Sequence, residues 1–305
     1  MMFRRAPLTE HLKKNKELIK YMGSIEKKII PISTMKSVVN PYPACIEQHH
    51  AWSYFGTFVD YMIRRMIRAR YSLPKSELIA EQALQKLQKR YQYMLNTKEG
   101  TQYFDTEETF KEAKDAMAGN GMSSYILPPK GDPLVTPADR EHFKECIDIY
   151  NDLSIQWQDT IDASLEMTRL DEYFRAGRMV QKITFSPLDL EAIQSFLIKT
   201  EQFLSSIEFQ PPIMLNPVLG IKGVPADADI IDDNMIFDIK TSKSHPETRV
   251  VYQLLGYAAL YFHRSHKKIN TLAILNPIYC MMQVYDASSI TEDELATIIK
   301  KLLRE

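Results

Sequence analysis

The chain has 305 residues, with 38 basic side chains against 39 acidic ones and a formal net charge of -1. At 45% hydrophobic and 25% charged it has a globular composition, which excludes disorder or low complexity as its organisation. The balanced charge excludes a polybasic nucleic-acid glue, so any phosphate-binding charge must be local. Cys45, Cys146 and Cys280 are too few for a four-cysteine zinc or iron–sulfur site, and an odd count fits a disulfide framework poorly. A reducing, intracellular (cytoplasmic) setting is expected. The basic N-terminal stretch lacks the apolar core of a secretory signal. No apolar run reaches the ~18 residues a membrane helix needs.

The spacing predicts an amphipathic helix over 7–30, opened by Thr9 as N-cap. Pro31, Pro41 and Pro43 then mark an irregular connection. Residues 45–70 read as one helix, with Phe55, Val59, Met62, Ile63 and Met66 at helical spacing. Arg64, Arg65, Arg68 and Arg70 crowd its far end. Residues 76–118 read as helix again, and 118–137 as a Gly/Pro-rich loop. Thr136 and Pro137 open a helix over 137–175, and Pro187 opens another to about Ser205. From 208 onward the period falls to two. Ala228–Ile231 and Met235–Ile239 read as strands, followed by a helix from about Pro246 to His263. Thr271–Leu275 and Tyr279–Val284 read as two more strands, and a short helix begins at Thr291.

The segment VPADADIIDDNMIFDIKTSK, residues 224–243, carries the chemistry. A two-residue turn at Asp233-Asn234 sets 231 opposite 236, 230 opposite 237 and 229 opposite 238. Asp229 and Asp238 then face each other, and Asp227 falls opposite Lys240. Lys240 shares a face with Asp238, while Met235, Phe237 and Ile239 point into apolar packing. Like charges directly opposite on paired strands are destabilising, so the pair needs a counter-charge. Two carboxylates at that separation suit Mg²⁺ or Mn²⁺. A neighbouring lysine can stabilise charge developing on a phosphate.

These residues resemble the core motif of the PD-(D/E)XK nuclease superfamily, and its RecB-like exonuclease branch in particular. Asp229 stands as the first acid, Asp238-Ile239-Lys240-Thr241 as the D-x-K-T strand, and Gln253-Leu254-Leu255-Gly256-Tyr257 as the following Q-x-x-x-Y helix signature. Gly56-Thr57-Phe58-Val59-Asp60 matches the upstream G-T-x-x-H pattern, with Asp60 where His is usual. The likeness covers 45–70 and 220–285. It implies an α/β (α+β) fold, a restriction-endonuclease-like core with a mixed central sheet flanked by helices. Residues 1–75 would lend helices to that core, 76–205 would form a large helical insertion, and 206–305 would hold the catalytic hairpin.

The resemblance further implies an Mg²⁺-dependent deoxyribonuclease of exonuclease or end-processing type. Asp229, Asp238 and the Ile239 carbonyl would hold the metal, with Asp60 as further ligand and Glu47 as an alternative acid. Lys240 would assist catalysis, and Gln253, Tyr257 and Thr241 would line the substrate side. Arg64 and Arg65 would contact phosphates. The substrate would be DNA, single-stranded or at duplex ends, with a helicase or single-strand-binding protein as possible partner and no membrane. No iron–sulfur cluster and no ATP are expected, since no four-cysteine set and no GxxxxGK[ST] loop occur. Two rivals stand beside this reading. One is a nuclease-fold DNA-binding or interaction module without chemistry, serving a recombination or replication complex. The other is a mainly helical interaction protein with an incidental hairpin. His49, His50 and His245 are weaker candidates, as are the stacking aromatics Tyr91, Tyr93, Tyr103 and Phe104.

Overall fold

The computed structural model describes residues 7–36, 40, 43–48, 52–75, 78–90, 94–97, 100–103, 111–112, 115, 137–176, 182–241 and 248–303. The chain divides into two compact units, Met1–Ser76 with Phe185–Glu305, and Glu77–Thr184. Among the described residues no helix is long and apolar enough to cross a membrane.

The first unit begins with α1 (Leu8–Lys14) and α2 (Lys16–Glu26), where one helix is expected over 7–30. Asn15 divides them. Its side chain caps α2 by accepting from Leu18 N–H at 3.0 Å, and its Nδ2 donates to the Lys301 carbonyl at 2.9 Å. Asn competes with helix by bonding nearby backbone, so it ends one helix and starts the next. The proline-marked connection also resolves differently, because β1 (Ile30–Lys36) is a strand. Pro31 is tolerated there because β1 is a sheet edge, where a ladder N–H can be spared.

α3 (Ala44–Gln48) and α4 (Trp52–Arg70) occupy the expected helical stretch. The second unit holds α5 (Ile79–Arg90), then the antiparallel hairpin β2 (Met94–Thr97) and β3 (Gly100–Tyr103). That hairpin corrects the helix expected through 118. Asn96, Thr97 and Gly100 were the turn formers that helical periodicity hid. α6 (Pro137–Asn151) stops where Asp152 turns the chain, its Oδ1 accepting from Ser154 N–H at 2.9 Å. A short 3₁₀ turn, Trp157–Thr160, then leads into α7 (Ile161–Ala176), so the helix expected over 137–175 is two.

The boundary of the second unit falls at Thr184 rather than 205. α8 (Pro187–Ser205) therefore belongs to the first unit. Ser186 and Asp189 open it with a reciprocal capping box. β4 (Met214–Leu215), β5 (Ile230–Ile231), β6 (Met235–Ile239), α9 (Thr248–Ser265), β7 (Thr271–Asn276), β8 (Met281–Asp286) and α10 (Glu292–Leu303) complete the chain.

The six strands form one mixed sheet in the order β1-β8-β7-β6-β5-β4. β6 and β7 are parallel, joined through α9, and the other pairs are antiparallel. Alternation along β6 sends Ile236 and Phe237 to opposite faces. Ile236, with Leu272 and Ile274, joins the core built by α1, α2, α9 and α10. Phe237 meets Phe209, ring centroids 5.1 Å apart, and Phe209 in turn meets Tyr71 just beyond α4. Both faces of the sheet centre are thus dry, and polar side chains there need specific partners.

Candidate metal and phosphodiester site

The β5–β6 hairpin pairs Ile231 with Ile236 and Ile230 with Phe237, the register read from the turn residues. Asp232, 1% exposed, organises that turn. Its Oδ1 accepts from Asn234 N–H at 2.8 Å and Met235 N–H at 2.7 Å, and its Oδ2 from Gln210 N–H at 3.0 Å. Sequence reading missed this role. Its signal was an acid directly before a turn-forming pair, the position of an Asx turn.

Asp229 lies one residue before β5. Its Oδ2 accepts from the Ile239 N–H at 2.6 Å, so the Ile239 amide ties the first acid to the second strand. Asp238 sits inside β6 at 1% exposure. Its Oδ2 is 2.6 Å from Lys240 Nζ, while Oδ1 accepts no hydrogen bond from any described residue. Lys240 Nζ also donates to Gln253 Oε1 at 3.3 Å, and Gln253 Nε2 donates to Tyr257 Oη at 2.6 Å. Gln253 and Tyr257 stand one turn apart on α9, as i,i+4 neighbours should. Asp227 forms an isolated bridge with Val218, and the Lys240 N–H donates to Leu275 O at 2.8 Å.

α4 closes the site. A Cβ built on Gly56 would lie 2.7 Å from Thr241 Oγ1, so only glycine lets α4 approach the residue after Lys240 this closely. On α9, Gly256 likewise gives room to Leu8, whose Cδ2 would sit 2.8 Å from an added Cβ. Asp60, one turn beyond Gly56, is ion-paired with Arg64. The Arg64 side chain is only 4% exposed, and its guanidinium carbon lies 5.1 Å from the Tyr61 ring centroid.

The electrostatics follow from burial. Removal from water pushes the Asp238 carboxyl up to about 7. Lys240 pulls it down, and the Asp229 and Asp60 charges push it up further. Burial acts to lower the Lys240 ammonium, but the carboxylates of Asp238 and Asp229 outweigh it and the net direction is upward. The Tyr257 phenol is held well above its ordinary value by burial, with Asp238 and Asp229 adding. The cluster holds more negative charge than it can neutralise, so a proton on Asp238 stands in for a missing cation.

Asp60, Asp229, Asp238, Lys240, Thr241, Gln253 and Tyr257 therefore come from one unit and gather at the end of β6. Arg64 and Arg65 do not face a substrate as expected, being buried at 4% and 2% exposure. The missed signal for Arg64 was its i,i+4 spacing from Asp60. Glu47 lies in α3 with its side chain outside the described residues. His49, His50, Tyr91, Tyr93, Phe104, Lys243 and His245 also lie outside them, as does the Tyr103 side chain.

Asp229 and Asp238 offer the hard oxygen donors a divalent cation takes, and the buried, unpartnered Asp238 Oδ1 fits that role. Among the described residues no three His, Cys, Asp or Glu side chains are arranged to hold a metal ion. No protein-family model, no curated protein and no solved structure matches the chain.

Proposed function

We infer that the protein is a divalent-metal-dependent DNA nuclease of the PD-(D/E)XK type, hydrolysing phosphodiester bonds at the end of β6. One observation carries the reading. A buried carboxylate with an open oxygen stands beside a second acid and a lysine, at the register the D…D-x-K pattern requires. Mg²⁺ or Mn²⁺ held by Asp229 and Asp238 would neutralise charge developing on the phosphate. Lys240 acts from a fixed position. Two of its three N–H donors are directed at Asp238 and Gln253, which leaves one for a phosphate oxygen or the attacking water. Tyr257 keeps its phenol neutral and steadies Gln253.

A second reading, a nuclease-fold binding module without chemistry, is favoured by the lack of a third convergent acid among the described residues. One experiment separates the two. Single-stranded, duplex and overhang DNA are incubated with the protein in Mg²⁺, Mn²⁺ or EDTA, alongside Asp238→Asn and Lys240→Ala. The nuclease reading expects cleavage with either metal and a loss of about 100-fold or more in each variant. Cleavage that persists in EDTA or in Asp238→Asn refutes it. DNA binding without cleavage in any metal supports the module.

A further inference from the structure

The geometry points to a cation site held by two carboxylates, Asp229 and Asp238, in which Asp60 is not a ligand but the ion-pair partner of Arg64, the pair acting as a built-in charge balance. This rests on the nuclease reading of the site and departs from the ligand role that the upstream motif implies for Asp60. Three observations carry it. Asp60 is joined to Arg64 one turn on, and the Arg64 Nε lies 3.4 Å from the Asp60 carbonyl, so the guanidinium reaches both side chain and backbone of one residue. Arg64 is 4% exposed and stacked on Tyr61, so it has no easy route to water that would release Asp60. Among the described residues no three acids converge, although Asp60 is close enough for its charge to act on both Asp238 and Lys240. Asp60 is thus near the site without standing in its ligand set.

The charge count explains why a pair would sit there. Asp60, Asp229 and Asp238 against Lys240 and Arg64 leave one net negative charge. A bound dication turns that into one net positive charge, matched to the single negative charge of a phosphodiester. Without Arg64 the loaded site would be neutral and would attract the substrate less. Without Asp60 a buried guanidinium would repel the metal. Removing both together leaves the net charge as it was and leaves no buried charge unpaired, a change that protein interiors often tolerate.

The test therefore uses the double variant Asp60→Asn/Arg64→Gln in the full chain. Mn²⁺ is the probe, with its affinity read by calorimetry and its bound waters by water-proton relaxation. The double variant is expected to bind Mn²⁺ within about threefold of the wild type, with the same number of bound waters, because no ligand has gone. Arg64→Gln alone is expected to bind Mn²⁺ more tightly and DNA more weakly. A loss of about tenfold or more in the double variant, with an added water on Mn²⁺, overturns the proposal, since even the partners of true ligands cost about that much when removed. If the double variant does not fold, a wild-type crystal soaked in Mn²⁺ decides by anomalous scattering, and a direct Asp60–Mn²⁺ contact overturns the proposal. A wild type that shows no saturable Mn²⁺ binding sensitive to Asp238→Asn sinks the underlying nuclease reading instead.

Discussion

Replacing Asp238 with Asn is expected to make the metal-free protein more stable at pH 8 and to leave it little changed at pH 5. Asp238 is buried at 1% exposure, and its carboxyl sits at about 7 against an ordinary 3.8. An acid raised in the folded state binds more protons there than in the unfolded state. Stability therefore falls as pH rises from 3.8 through about 7, and the full penalty is present above 7. The difference of about three pH units corresponds to about 4 kcal/mol at ~1.4 kcal/mol per unit. Asn keeps the shape and removes the titration, but it also leaves Lys240 without its 2.6 Å partner. The net gain at pH 8 is expected to be about 2 kcal/mol, or about 4 °C or more in Tm for a chain of this size. Thermal unfolding of both proteins by circular dichroism, at pH 5, 6, 7 and 8 in EDTA, measures it. The Tm difference should grow with pH and shrink when Mg²⁺ is added, because the cation stabilises only the wild type. A difference that does not change with pH would refute the assignment of Asp238 as the overcharged centre.

Other consequences test the scaffold. Gly56→Ala should destabilise by about 1–3 kcal/mol through overpacking, despite the better helix propensity of alanine. Adding Thr241→Ala should recover most of that, because the next contact is the residue 241 Cβ at 3.9 Å. Failure of the double variant to recover, in urea titrations, removes the steric explanation. Asp232→Ala strips three backbone N–H groups of their acceptor and should cost about 3 kcal/mol. An unchanged denaturation midpoint contradicts its role in the turn. All three cysteines are buried, and burial holds the Cys146 thiol at about 11, with the Cys45 thiol also raised. The native protein should therefore react with a thiol reagent only as fast as it unfolds, and rapid labelling before unfolding would contradict this burial.

Local sequence determined the hairpin that matters most. Asp233-Asn234 between two short apolar runs specifies a turn, the turn specifies register, and register alone sets Asp229 against the strand carrying Asp238 and Lys240. The i,i+4 spacing of Gln253 and Tyr257 likewise forecast their 2.6 Å contact, and Ser186-Pro187 marked the start of α8. What failed were features whose cause lies elsewhere in the chain. β1 is a strand because β8 is there to pair with it, and Asn15 splits a helix partly through a bond to Lys301, 286 residues away.

The same division runs through the candidate site. Sequence supplied the residue types, because acids, a lysine and their strand period are local facts. It could not say which charges face solvent, since an arginine on an amphipathic helix looks alike on either side until packing chooses. Only the tertiary structure buried Arg64 against Asp60, brought Gly56 onto Thr241 and enclosed Asp238 so that its carboxyl rises to about 7. Charge type is written in the chain, but the dielectric around a charge and the partners that neutralise it come from distant segments meeting. In this protein that meeting turns an acidic hairpin into a candidate catalytic centre.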